Sequence, residues 1–157
     1  SLRDNLLIGK PDATNEEIDN ALINSGSKDI IENLDKGLDT VYGTKGTYFS
    51  GGEAQRISIA RAFLKDADII ILDEATAFAD PENEHLIQES FKKLSKSKTT
   101  LMIAHRLSTV VDADKILVID KGKIVEEGKH SDLIGMSGHY KKLWEEYQKS
   151  VNWKIGG

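Results

Sequence analysis

Residues 49–80 read FSGGEAQRISIARAFLKDADIIILDEATAFAD, and the fold turns on how this stretch is parsed. Ile57, Ala60 and Leu64 recur at helical spacing behind Ser50-Gly51-Gly52, which predicts a helix from Gly51 to about Lys65. Two glycines at a helix start leave backbone N–H groups uncovered, and the helix dipole turns its positive end outward. That arrangement suits an anion such as phosphate. Ser50, with Glu53 three residues on, also has the pattern of a capping box. The two readings are compatible, because capping fixes the geometry that presents the donors. Ile69-Ile70-Ile71-Leu72 then reads as a short strand buried on both faces. It runs into Asp73-Glu74, two carboxylates at the end of a buried strand, a costly arrangement unless a metal or a proton-transfer task goes with it.

Working outward, Asp80-Pro81 is a helix-start signal, with Asp80 as N-cap and Pro81 in the first turn. Ile87, Phe91 and Leu94 give that helix a stripe to lay on a sheet. Thr99 to Ala104 is the next strand, with His105 at its end, where ligands gather in open α/β sheets. Ser108 to Val111 makes a turn or two of helix. Ile116 to Ile119 and Lys123 to Glu126 flank Lys121-Gly122 as a hairpin, and Tyr140, Leu143, Trp144 and Tyr147 mark a last amphipathic helix. Upstream, Ser1 to Gly9 reads as an apolar, turn-like lead-in. Thr14 and Glu17 form a capping box for a helix carrying Ile18, Leu22 and Ile23 and ending near Gly26. Ser27 opens a second short helix with Ile30, Ile31 and Leu34, stopped by Gly37. Strand and helix alternate through the second half, which predicts an α/β layer with a largely parallel sheet and one antiparallel hairpin near its edge.

The chain has 157 residues, enough for one domain with a real core. Its 21 Lys and Arg stand against 26 Asp and Glu, a net charge of −5 that argues against nucleic acid as a partner. Without cysteine there is neither a disulfide framework nor a thiolate metal site. No apolar run reaches the roughly 18 residues of a membrane span. His85, His130 and His139 show no metal-ligand spacing.

Taken in order, these segments resemble the ATP-binding domain of ABC transporters, of the exporter type. Ser50-Gly51-Gly52-Glu53-Ala54-Gln55-Arg56 is similar to the family's signature motif, and Ile69 to Asp73 followed by Glu74 to its Walker B strand and catalytic glutamate. Asp80 falls where the family has its D-loop aspartate, and His105 matches the switch histidine. The resemblance implies a partial P-loop NTPase core with a mostly parallel sheet plus an α-helical signature subdomain, divided as residues 1–65 and 66–157. It implies ATP and Mg2+ as ligands, Asp73 as the Mg2+ ligand, Glu74 as general base, and His105 as a bridge between γ-phosphate and attacking water. Ser50, Gly51 and Gly52 would grip ATP held on a second, partner ATP-binding domain. Glu53 stands where glutamine is usual and brings a negative charge near phosphate, an effect softened if its carboxylate folds back on the helix start.

A transmembrane domain is the other implied partner, at the cytoplasmic face of the membrane. Ser1 to Gly9 resembles the segment after the family's Q-loop, so the chain reads as the C-terminal part of a longer domain. Thr40 to Thr47 lies where exporters carry a Gly-Glu-x-Gly contact to the membrane domain. Thr44 replaces the glutamate, and both a contact loop and a plain surface loop stay open. No G-x-x-x-x-G-K-[ST] phosphate loop occurs, so the chain alone is expected to bind ATP weakly and hydrolyse it negligibly. An uncovered sheet edge and apolar surface are expected as well, inviting self-association. Two other classes fit parts of the pattern. One is a soluble ABC ATPase of DNA repair or chromosome maintenance, which would bring long coiled-coil heptads that are absent here. The other is a non-catalytic signature donor in an asymmetric pair, against which Glu74 and His105 argue.

Overall fold

Three capping boxes or turn signals set the helical region in place before any tertiary contact is counted. The structure is a computed structural model that describes residues 1–43, 46–73, 81–104 and 107–155. The first helix, α1 (Leu2–Leu7), starts on a reciprocal box in which the Ser1 hydroxyl accepts from the Asp4 N–H and the Asp4 carboxylate accepts from the Ser1 terminus. The turn-like lead-in expected of this stretch is therefore helical, and its Leu2 and Leu6, one turn apart, are fully buried. Helix α2 (Asn15–Asn24) starts on the Thr14–Glu17 box as the sequence predicts. It ends in a Schellman turn: Gly26 adopts φ +65°, Ser27 N–H donates to Leu22 C=O at 2.9 Å, and Gly26 N–H to Ile23 C=O at 3.1 Å. Helix α3 (Lys28–Glu32) follows, but Ser27 does not cap it. Its hydroxyl instead meets that of Ser25 at 2.6 Å, both buried. The long α4 (Gly51–Lys65) lays Ile57, Ala60 and Leu64 on Leu2, Leu6, Ile18, Ala21, Leu22, Ile30 and Ile31, which closes the helical core.

β1 (Ile69–Asp73), α5 (Pro81–Ser95) and β2 (Thr99–Ile103) form a strand–helix–strand unit whose two strands pair in parallel. Ile87, Phe91 and Leu94 of α5 pack with Leu72 and Ile70, and Ile59 of α4 joins them. The other face of β1 is open: Ile69 is 66% and Ile71 64% exposed. The expectation of burial on both faces is thus corrected. A run of four apolar residues sends alternate side chains to opposite faces, and only one face meets a helix here.

Packing divides the chain into two compact units, 1–101 and 102–157, a different partition from the division expected at 65/66. In the second unit β3 (Ile116–Asp120) and β4 (Lys123–Gly128) pair antiparallel. Lys121 and Gly122, both at positive φ, form the turn that the sequence marks. Helix α6 (His130–Gly135) was not expected. It supplies Leu133 to a core with Ile116, Val118 and Tyr140 of α7 (His139–Ile155). The α7 start is capped from a distance by Glu126, whose carboxylate accepts the His139 and Tyr140 N–H groups. Gly138 makes that approach possible, since a methyl there would lie 2.0 Å from Glu126 Oε1. Among the described residues no helix is long and apolar enough to cross a membrane.

Candidate nucleotide site

The helix tip is built by its own first turn. Ser50 leaves the helix in an extended conformation, its Oγ accepts the Glu53 N–H at 3.2 Å, and Glu53 Oε2 accepts the Ser50 N–H at 2.8 Å. The carboxylate of Glu53 thus folds back on the helix start, which sets its charge against the positive end of the α4 dipole. Ser50 and Gly51 are exposed while Gly52 is buried, so the tip faces solvent rather than the chain's own interior. Gly51 N–H belongs to the first turn and has no acceptor within the helix.

One turn behind the tip lies a residue that sequence reasoning passed over. Arg56 is 5% exposed, and its Nη1 donates to Gly26 C=O and to Asp29 Oδ1 at 3.1 Å. Its buried Nε has no partner among the described residues. The sequence shows it as the last residue of the Ser50–Arg56 stretch, set before Ile57, Ile59 and Ala60, a pattern that names no partner for it.

Asp73 closes β1 and is exposed, its carboxylate placed at the carboxyl end of the strand. Glu74, Asp80 and His105 lie outside the described residues, as does Thr44 of the glycine-rich loop. The structure therefore brings together Ser50, Gly51, Gly52 and Glu53, and it positions Asp73. A hollow of about 240 Å³ lies at the other end of α4, lined by Lys10, Glu17, Asn20, Asn24, Phe63 and Asp66 among others. It includes none of the residues above. Lys10 and Glu17 pair across it at 2.5 Å. That hydrogen bond raises the lysine above its ordinary range and, with Thr14 N–H, holds the glutamate below its own.

The model of the ABC transporter family matches residues 2–77, a span that holds the helix tip and the Asp73-Glu74 pair. Multidrug export ATP-binding/permease proteins from Staphylococcus aureus strains NCTC 8325 / PS 47 and COL are each 49% identical over 144 residues. The alignment takes in 92% of this chain and 25% of each relative. The chain belongs to the ABC transporter ATP-binding family. It spans about a quarter of the length of these relatives. Its fold is a partial P-loop NTPase core of α/β type.

Proposed function

We propose that this chain is the signature and Walker B portion of an exporter-type transporter's ATPase, working at the cytoplasmic face of a membrane. There ATP hydrolysis would be coupled to movement of solute through an attached transmembrane domain. The observation that carries the reading is the solvent-facing signature tip. Its Ser50 hydroxyl accepts from Glu53 N–H and so keeps its own hydrogen for an incoming acceptor. Together with Gly51 N–H and Gly52 N–H it offers three donors to the γ-phosphate of an ATP held on a second ATP-binding domain. Residues 1–65 would act as this donor subdomain and residues 66–157 as the catalytic half.

The exposed carboxylate of Asp73 is the oxygen donor that Mg2+ takes alongside phosphates and water, so the residue fits the ion. Asp73 would hold the ion, which would supply positive charge to offset that of the nucleotide's phosphates. Glu74, next in the chain, takes a proton from the attacking water, and His105 orients that water toward the γ-phosphate. Asp80 directly precedes Pro81 in the sequence and is the D-loop aspartate in this reading. The relatives' names, which join ATP-binding and permease, support an exporter over a DNA-repair ATPase.

The test is Glu74→Gln in the complete protein. ATP turnover should fall by about two to four orders of magnitude, the range for loss of a general base. Turnover unchanged by this substitution overturns the assignment. For the isolated chain, a fluorescent nucleotide titration should show no micromolar binding, since the phosphate-loop lysine is not in the sequence.

A further inference from the structure

We propose that the Glu53 carboxylate is a built-in counter-anion at the α4 start, which holds the tip in shape without nucleotide and weakens its grip on a γ-phosphate. The inference rests on the ATPase reading above. Helices α2 and α4 both open on a capping box with a glutamate, and the two carboxylates differ in what neutralises them. Glu17 accepts the Thr14 N–H at 2.8 Å through one oxygen and meets Lys10 Nζ at 2.5 Å through the other. Glu53 accepts the Ser50 N–H at 2.8 Å through Oε2, and among the described residues no lysine or arginine pairs with it. Arg56, the cation one turn further along, is committed elsewhere, its Nη1 donating to Gly26 C=O and to Asp29. The charge of Glu53 is therefore offset by the α4 dipole alone.

That charge is not needed for the cap. A capping box takes glutamine as well as glutamate, because the Ser50 N–H asks only for a carbonyl oxygen. What the charge adds is an anion at the place where the helix start would otherwise draw one in. Its oxygen is one hydrogen bond from the backbone of Ser50, the residue whose hydroxyl is offered to the phosphate in the reading above. Ser50 and Gly51 are exposed and Glu53 is half-buried, so the carboxylate stands beside the donors rather than out in solvent. A γ-phosphate arriving there finds the positive end of the dipole already offset, and the two anions repel at short range. The repulsion falls on the group nearest the tip. A nucleotide that ends at the β-phosphate keeps its charge farther away and meets less of it. Glu53 thus leaves the tip well formed when empty and quick to let go, which suits a contact that forms and breaks in each turnover.

The test titrates the complete protein and its Glu53→Gln and Glu17→Gln variants with a non-hydrolysable ATP analogue and with ADP. Glu53→Gln keeps the cap and removes the charge, so it should bind the analogue about three- to tenfold more tightly. Its affinity for ADP should move by less than about twofold. In turnover, KM for ATP should fall while kcat does not rise, since a tighter grip slows release. Glu17→Gln changes a capping glutamate by the other end of α4 and should shift the affinity for neither nucleotide. Analogue binding that is unchanged or weaker in Glu53→Gln overturns the proposal. An equal gain for ADP overturns it too, because the effect would then belong to the fold and not to the γ-phosphate. If Glu53→Gln does not fold, Glu53→Ala decides by the ratio of analogue to ADP affinity, which should rise. The ATPase reading fails by a different result, turnover unchanged in Glu74→Gln. Turnover lost in Glu74→Gln with analogue binding unchanged in Glu53→Gln removes this proposal alone.

Discussion

The helices α1 to α4 and the strands β1 and β2 are both apolar in sequence, yet they end in opposite conditions. The helices close on one another: Leu2, Leu6 and Ala60 are fully buried, and their polar ends are satisfied by the caps at Ser1, Thr14 and Ser50. β1 buries Leu72 under α5 and leaves Ile69 and Ile71 in solvent, and Leu101 of β2 is exposed with them. Apolar content alone does not make a core. A helix stripe needs only another helix, whereas a strand has two faces and two edges to cover. The Ser50 tip stands on the closed region and Asp73 on the open one.

The sharpest way to break this comparison is a pair of equal truncations. Leu6→Ala removes buried methyl groups from a filled core and should cost about 2–5 kcal/mol in chemical denaturation. Ile71→Ala removes atoms already in water and should stay within about 0.5 kcal/mol. Similar costs would mean that the outer face of β1 is covered in solution. The second prediction follows from that face being open. Exposed apolar strand surface favours association, so the isolated chain should gain mass in light scattering as concentration rises, and Ile69→Lys with Ile71→Lys should restore a monomer. A clean monomer without the substitutions removes the argument.

A smaller effect separates structural from functional capping. Ser50→Ala and Thr14→Ala each delete a hydroxyl that accepts one helix N–H at 3.2 Å, and each should cost about 1 kcal/mol of stability. Only Ser50→Ala should also lower ATP turnover in the complete protein. Equal turnover in both variants would leave the signature tip as a cap and nothing more.

Much of this was readable from local pattern. The α4 helix from Gly51 to Lys65, the α5 stripe of Ile87, Phe91 and Leu94, and the Lys121-Gly122 turn carry their signals within a few residues. α1 escaped because its capping partner is Asp4 rather than the glutamate or glutamine that marks such boxes. α6 is only six residues long and has a single buried anchor, Leu133, too little for a period to show. The openness of β1 was hidden for another reason: a run of isoleucines states that a strand is apolar but not which of its faces has a neighbour. At the candidate site, the tip and its fold-back carboxylate were legible because capping is local. The Arg56–Asp29 pair was not, since 27 residues separate its members.

The second unit offers a last contrast, because its closure depends on one carboxylate. Glu126 of β4 accepts the N–H groups of Tyr140 and His139 at the α7 start, and these hydrogen bonds hold its carboxyl below the ordinary glutamate value of 4.5. The lowered value belongs to the folded state, so the proton is bound more tightly after unfolding. The contribution is therefore present above about pH 4.5 and is lost as pH falls through the lowered folded value. Tryptophan fluorescence of the α7 region, where Trp144 rests on His130 with ring centres 4.6 Å apart, should report melting that weakens as pH falls below the ordinary glutamate value of 4.5. Glu126→Gln should flatten that dependence and leave the helical region's acid response unchanged. The amide keeps the shape but accepts only through its single carbonyl oxygen, so one of the two α7 N–H groups goes unpaired. A pH profile identical in wild type and Glu126→Gln would show that α7 is held by Tyr140 and Leu133 packing alone, which would make the second unit close as the helices do, by apolar contact.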